Sequence, residues 1–347
     1  MSDNHDTLYH SNGEAEMEGA HDPSTDEETI LTDEEYGSPE SSLEEVQDEE
    51  IADYFLEING RLYASHGGAP YPLPVDTPEN DRTKANHTIL KRLIGANHRG
   101  PVTAVLAVNV DRQPRVLDLC CGVGTWVKDM SADFPHAQII GVDIVPLATR
   151  YPPTNVQFEI LDVNSPLRWT DGYFDLIHSR DVILSVCDYG ALVNEAARTL
   201  RLGGLFLSVE WSNHISLHPS IPGDVETHAP ASTHFYDTVN HNLATLGVNP
   251  DGFAAFNLIA NSPHFTSVTV EQIDVPIGTW HPEEGLRQIG SSFRAAQKRL
   301  AHAYKRMLLT AGMSSEAVDT LIDDFVHDLY TTDGLMMTVY LTSAERV

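Results

Sequence analysis

From Arg115 onward the apolar residues fall into short, unalternated runs: Val116–Leu119, Ile139–Val142, Val156–Leu161, Phe174–Ile177 and Leu205–Val209. Stretches long enough for helices separate them. A strand covered by helices on both faces has no solvent side, so its apolar positions run continuously instead of alternating. Two further runs, Val268–Val275 and Met336–Leu341, bracket two helical patterns. In the first, Leu286, Ile289, Phe293, Ala296, Leu300 and Met307 keep a helical stripe. The second has Ser314 as its cap and Val318, Leu321, Ile322, Phe325 and Leu329 as its stripe. The pattern predicts an α/β fold, a Rossmann-like seven-stranded and mostly parallel sheet with helices on both faces.

The flanks behave differently. Thr77-Pro78-Glu79 opens a helix with a capping hydroxyl, proline at its first position, and the acids Glu79 and Asp81 on the positive end of the dipole. Ala85, Ile89, Leu93 and Ile94 form its buried face and Gly95 closes it. Residues 212–265 are polar, rich in His, Pro and Asn, and too long for a simple connection; a helical cap over Phe235–Leu246 is expected. Residues 1–50 lack periodic apolar positions and are rich in Glu, Asp and Ser, a composition that does not offset chain entropy by burial. The expected organisation is a disordered acidic tail (1–50) and one domain (51–347). That domain divides into an N-terminal helical segment (51–112), a cofactor core (113–211), a cap (212–265) and C-terminal strands and helices (266–347). Ser41 and Ser42, each with a glutamate three positions on, would suit an acid-directed kinase; a solvating tail is the plainer reading.

Charge sharpens the picture by exclusion. Of 51 acidic residues, 20 lie in positions 1–60, where there is no Lys or Arg; the remaining 287 residues carry 31 acids and 21 bases, a net of −10. A phosphate backbone needs clustered Lys and Arg, and so does an anionic membrane surface, so neither partner is expected. No run of 18 apolar residues is present to span a bilayer. The opening MSDNHDTLYH has neither a basic n-region nor an apolar h-region, which argues against a secretory leader. Three cysteines, two of them adjacent (Cys120 and Cys121), make no disulfide framework, and a cytoplasmic or nuclear location is the default.

The strongest local signal is Val116-Leu117-Asp118-Leu119-Cys120-Cys121-Gly122-Val123-Gly124-Thr125-Trp126, an apolar strand running into a glycine turn that opens a helix. Glycine there lets the backbone approach a ligand. A dinucleotide would need a third glycine at position 127, where the chain has Val127. S-adenosylmethionine has no phosphate and presents an ammonium group, so an acid just before the glycines, Asp118, suits it. A second acid, Asp143, ends the next strand 21 residues beyond Gly122, placed to accept ribose hydroxyls. A third, Asp162, follows the strand after that, where an adenine amino group needs an acceptor. The expected cofactor set is Asp118, Cys120, Gly122, Gly124, Thr125, Asp143, Ile144, Asp162, Val163 and Ser179.

At this point the chain resembles the class I S-adenosylmethionine-dependent methyltransferases over 115–211, and its flanks are similar to the fungal LaeA-like group of secondary-metabolism regulators. The carrying residues are Asn59-Gly60-Arg61-Leu62-Tyr63, then Tyr71-Pro72-Leu73-Pro74-Val75-Asp76 with Glu79, Asp81-Arg82 and His87. Later come Phe174-Asp175-Leu176-Ile177-His178-Ser179-Arg180, Gly203-Gly204, Ile277-Gly278-Thr279-Trp280 and Ile289-Gly290. The resemblance spans roughly residues 51–342 and implies that Tyr63 and Arg61 close over the cofactor. The family usually has glycine where Cys120 stands, so a thiol here adds a Cβ where backbone approaches the methionine end.

Ligands in such sheets sit outside the carboxyl ends of the strands, which places the acceptor above His178, Ser179, Arg180, Asp181, Glu210 and Trp211. His178 is the candidate general base or substrate contact; otherwise it anchors the sheet. His214 and His218, with His228 or His234, lack the acidic or cysteine partners of a metal motif, so no metal is expected. Trp211, Trp280 and Phe235 are candidate walls of an aromatic pocket. Two functions remain: methylation of a small-molecule acceptor on oxygen or nitrogen, or, as the resemblance implies, a regulatory role within a velvet-type nuclear complex. A nicotinamide oxidoreductase is disfavoured by Val127.

Overall fold

The computed structural model describes residues 43–67 and 71–347, together with the backbone of 9–11. In chain order the elements are β1 (Tyr9–Ser11), β2 (Leu43–Glu45), β3 (Phe55–Ile58), β4 (Arg61–Ala64), α1 (Thr77–Ile94), α2 (Val102–Val105), β5 (Arg115–Leu119) and α3 (Thr125–Asp133). They continue with β6 (Gln138–Asp143), β7 (Val156–Ile160), β8 (Phe174–Arg180), α4 (Tyr189–Thr199), β9 (Leu200–Trp211), β10 (Ser216–Leu217), α5 (Val225–His228), α6 (Pro230–Thr245) and α7 (Gly252–Ala260). The last are β11 (Phe265–Pro276), α8 (Glu284–Ala303), α9 (Lys305–Thr310), α10 (Ser315–Thr331) and β12 (Leu335–Arg346). All seven expected strands are present, in the order β7-β6-β5-β8-β9-β12-β11. The first five of that order run parallel, while β12 is antiparallel to both β9 and β11. Three short strands enlarge the sheet to ten: β10 on β12, and β1 with β2 outside β7.

The expected tail therefore meets the sheet through β1 and β2, while most of residues 1–42, Ser41 and Ser42 among them, lie outside the described residues. One expected cap moves. Asp76, not Thr77, caps α1, its carboxylate accepting from the Glu79 N–H at 3.4 Å, while Pro78 and Gly95 (φ 75°) hold their expected places. Glu79 turns inward and is buried against Arg82, so its charge serves a buried pair more than the helix dipole. The long stripe from Leu286 to Met307 is interrupted at Tyr304, leaving Met307 on α9. Ser314 caps α10 as its sequence suggests, accepting from the Ala317 N–H at 3.2 Å.

Both sheet faces are covered. Trp126, Val127 and Met130 of α3 pack with Val116, Ile139 and Leu205 on one face. Leu192, Val193 and Ala196 of α4 pack with Leu117, Ile140 and Ile177 on another. A third cluster joins α6, α8 and α10 through Phe235, Phe293 and Phe325, with Phe235 stacked on Phe325. It seats α8 against α1, and these two helices roof the carboxyl ends of β5, β8 and β9.

Candidate active site

The turn after β5 needs left-handed backbone three times in five residues: Cys120 at φ 53°, Gly122 at 55° and Gly124 at 70°. Only glycine adopts that region without cost, so Cys120 holds a glycine-type conformation with a side chain attached. Gly124 is required for a second reason. A Cβ there would sit 2.5 Å from the Phe158 ring, which fixes how closely α3 approaches β7. The Cys121 N–H bonds to the Val142 carbonyl at 2.8 Å and the Gly122 N–H to Asp143 Oδ2 at 2.8 Å, so the turn is tied to the tip of β6. Burial pushes the Asp143 carboxyl up to about 6, against the pull of the Gly122 and Val145 amides. Burial likewise pushes the Cys120 and Cys121 thiols well up, leaving small neutral side chains.

A cavity of about 190 Å³ lies above these tips. Cys120, Gly122, Thr125, Asp143, Ile144, Asp162 and Val163 of the expected cofactor set line it. Gly67 (φ 84°), after β4, closes this end: a Cβ there would fall 2.1 Å from Ile144 Cδ1 and 3.1 Å from Asp162 Oδ2. Six expected residues are absent from the lining. Gly124 acts through packing. Tyr63 is buried beneath the Arg306 guanidinium at 4.1 Å, and Arg61 is committed to Asp76 at 2.9 Å. Ser179 is fully buried in β8.

The remaining two, Asp118 and His178, pair with each other. They are direct register partners on parallel strands, so His178 Nδ1 meets Asp118 Oδ1 at 2.6 Å, and the imidazole stacks on Trp126 at 3.8 Å between centroids. Both side chains are buried and neither lines the cavity. Burial lowers the His178 pKa despite the carboxylate. A neutral imidazole there orients Asp118 and fills the interior, outside the lining of the main cavity.

Sequence reasoning missed most of the far wall. Tyr71, Glu79, Arg82 and Asn86 come from α1 and the residues before it, and Phe293, Gln297, Leu300 and Tyr304 from α8 and its end. The spacing 293, 297, 300 puts one polar residue, Gln297, inside an apolar stripe, which is a readable signal. Gln297 is held by the Tyr236 hydroxyl at 2.6 Å. Glu79 and Arg82 form a buried pair, Nε to Oε1 at 2.8 Å. Asp181, at φ 57°, is raised by burial while Arg82, Arg180 and an Asn86 hydrogen bond pull it down. Glu210, at the tip of β9, is buried and held well above the usual carboxylate range by that burial and by Asp181.

The cap histidines satisfy themselves locally. His214 bonds the Ser212 carbonyl, His218 the Ser220 hydroxyl and His228 the Pro222 carbonyl, at 2.7, 2.7 and 2.9 Å. Among the described residues no group of three or more His, Cys, Asp or Glu is placed to hold a metal ion, and no helix is long and apolar enough to cross a membrane. Trp211 lines the cavity; Phe235 lies in the helical core, and Trp280 bonds the Ile277 carbonyl.

A glycine turn bonded to a half-buried strand-tip carboxylate, with a second acid at the next tip, fits an adenosyl ligand that carries no phosphate. Residues 82–246 match the methyltransferase domain family. The secondary metabolism regulator laeA of Coprinopsis cinerea is 29% identical over 289 residues, 81% of this chain and 71% of that protein. The methyltransferase pytC of Aspergillus terreus is 28% identical over 271 residues, 76% and 79% of the two chains. The protein-methionine methyltransferase laeA of Emericella nidulans is 28% identical over 251 residues, 70% and 62%. The chain is thus an S-adenosylmethionine-dependent methyltransferase, similar over most of its length to the LaeA proteins.

Proposed function

We propose that this methyltransferase acts on a small molecule of secondary metabolism, methylating oxygen or nitrogen. One observation carries the reading. The cavity joins the glycine turn, Asp143 and Asp162 at one end to buried polar side chains from β9, α1 and α8 at the other, beneath a two-helix roof. S-adenosylmethionine supplies an electrophilic methyl carbon on a cationic sulfur. The chain's own part is to hold cofactor and acceptor in line and exclude water. In this reading Asp143 accepts the ribose hydroxyls and Asp162 the adenine amino group, with Ile144, Val163, Thr125, Cys120 and Gly122 around them. Residues 51–347 act as one catalytic domain and 1–50 as an acidic appendage, in cytoplasm or nucleus. Calorimetric titration with S-adenosylmethionine, beside Asp143→Ala, tests the shared premise; no heat with the parent chain would sink it. Labelled cofactor offered with a metabolite extract then identifies the acceptor.

A second reading, a regulator working in a velvet-type complex or on a protein target, draws on the similarity to proteins named as regulators and as a protein-methionine methyltransferase. Pull-down from the source cell separates the two. Recovery of a stable regulatory complex would demote the metabolite enzyme.

A further inference from the structure

Four side chains that line the cavity each carry a buried polar atom with no hydrogen-bond partner among the described residues: Glu210 Oε2, Trp211 Nε1, Tyr304 Oη and Asn86 Oδ1. A polar atom left in this state costs about 1–3 kcal/mol, so their convergence on one cavity marks a place where a ligand's polar atoms complete the set. The carboxyl of Glu210 is fixed for such a role. Its Oε1 accepts from the Val182 N–H at 3.2 Å and the Tyr189 hydroxyl at 3.4 Å, leaving Oε2 as the unoccupied oxygen. Gly252 of α7 clamps the same strand tip, where a Cβ would lie 2.9 Å from the Glu210 carbonyl oxygen.

On the small-molecule reading above, we propose that this end of the cavity seats an aromatic hydroxyl, a phenol-type acceptor, whose proton passes to Glu210 Oε2 while Trp211 Nε1–H and the Tyr304 hydroxyl hold its oxygens. Donor and acceptor roles decide the class. Glu210 as carboxylate only accepts and the Trp211 indole only donates. A hydroxyl satisfies both at one oxygen and keeps a second lone pair for the methyl carbon; a neutral amine has a single lone pair, which cannot serve the indole and the methyl carbon together. A carboxylate acceptor is disfavoured by charge. The lining carries Glu79, Asp143, Asp162, Asp181 and Glu210 against two arginines, of which Arg82 is paired with Glu79 and Arg180 lies among Asp118, Asp181 and Asp129. Flat walls favour an arene: Trp211 stacks on Phe293, centroids 4.8 Å apart at 21°, beside Ile183, Leu184 and Leu300.

In the step, the acceptor O–H bond breaks and its proton goes to Glu210 Oε2. The oxygen lone pair forms the O–CH3 bond as the C–S bond breaks, its electron pair staying on a sulfur that leaves as a neutral thioether. One carboxylate and one sulfonium become one carboxylic acid and one thioether, so charge balances. Burial favours protonated Glu210 in the empty site, and an arriving sulfonium cation stabilises the carboxylate. The base is armed by the cofactor and takes its proton as the positive charge disappears.

The test is calorimetry on the full chain at a series of pH values from 7 upward, where Asp143 is already ionised, in two buffers of different ionisation heat. S-adenosylmethionine is expected to release a proton on binding; neutral-sulfur S-adenosylhomocysteine releases less, and Glu210→Gln removes the difference while still binding both. With sinefungin, which carries an ammonium in place of the sulfonium and transfers no methyl group, phenol is expected to bind more tightly than benzoate, and Glu210→Gln and Tyr304→Phe each to weaken phenol about five- to tenfold. Equal proton release in parent and Glu210→Gln, or benzoate binding more tightly than phenol, overturns the proposal and leaves the methyltransferase standing. Cofactor heat missing from the parent overturns both.

Discussion

His178 on β8 donates through Nδ1 to Asp118 on β5 at 2.6 Å, directly across the parallel register that pairs the two residues. The pair sits under the glycine turn without reaching the cavity. His178→Ala is therefore expected to cost about 2–4 kcal/mol of stability, from lost stacking on Trp126 and an orphaned buried carboxylate. Denaturant melts measure it. Cofactor affinity at low temperature should change less than threefold, and a variant of full stability with no activity would restore His178 as a base. Because burial holds the imidazole below its ordinary value, its contribution is present above about pH 6.5 and lost as pH falls below that.

Asp143 sets a pH dependence of its own. Its carboxyl is pushed up to about 6 by burial, and only the ionised form accepts two ribose hydroxyls. Cofactor affinity should rise as pH increases through about 6 and flatten above 7. Asp143→Asn should lose at least about tenfold in affinity, about 1.4 kcal/mol, and the pH dependence with it. Titrations between pH 5 and 8 decide the matter; an unchanged slope in the variant assigns it to another group.

Cys120 tests the glycine turn. At φ 53° its Cβ is strained, so Cys120→Gly should stabilise the chain or leave it unchanged, within about 1 kcal/mol, and bind cofactor at least as well. Cys120→Val, β-branched at a left-handed position, should lose stability. A glycine variant with markedly weaker affinity would mean that the thiol contacts the ligand.

Asp175 is the structural counterpart to these site acids. Its buried carboxylate takes the Arg112 guanidinium at 2.7 Å, the Arg115 N–H at 2.8 Å, and Arg201. Burial opposes its charge, yet these partners hold it below the ordinary carboxylate value. Its stabilisation is present above about pH 3.9 and fades as pH falls through the lowered value. Asp175→Ala leaves the Arg115 N–H and two partly exposed guanidinium groups without their acceptor and should cost about 1–3 kcal/mol, read as a lower melting temperature at unchanged cofactor stoichiometry.

Gly290 holds the acceptor wall in place. A Cβ there would fall 2.2 Å from the Gly278 carbonyl oxygen, whose own N–H bonds back to the Gly290 carbonyl at 2.9 Å. Gly290→Ala should push α8 off β11. Because α8 carries Phe293, Gln297 and Leu300, turnover should fall more than cofactor affinity; equal losses would mean general unfolding.

The strand and helix order was legible because it rests on local periodicity, and Asp143 and Asp162 were legible as cavity residues because a strand tip in this topology faces the cavity. Asp118 followed the same logic, yet its carboxylate is taken by His178 and lies outside the cavity lining. Whether a tip acid faces the cavity depends on what the neighbouring strand presents, and His178 stands 60 residues away. The far wall escaped for the same reason: α1 and α8 meet across roughly 200 positions, and nothing in either segment alone names the other. Only the polar Gln297 in an apolar stripe hinted at it.

The placement of β12 carries a consequence for synthesis. This strand is paired along both edges, with β9 on one side and β11 on the other. The sheet cannot close until residues 335–346 have left the ribosome, so β9, with Glu210 at its tip, waits with an open edge while more than 100 residues are still being made. Loss of those last residues would expose two long edges at once, a template for aggregation. Until residues 335–346 are threaded into the middle of the sheet, the strand that carries Glu210 is held along one edge only.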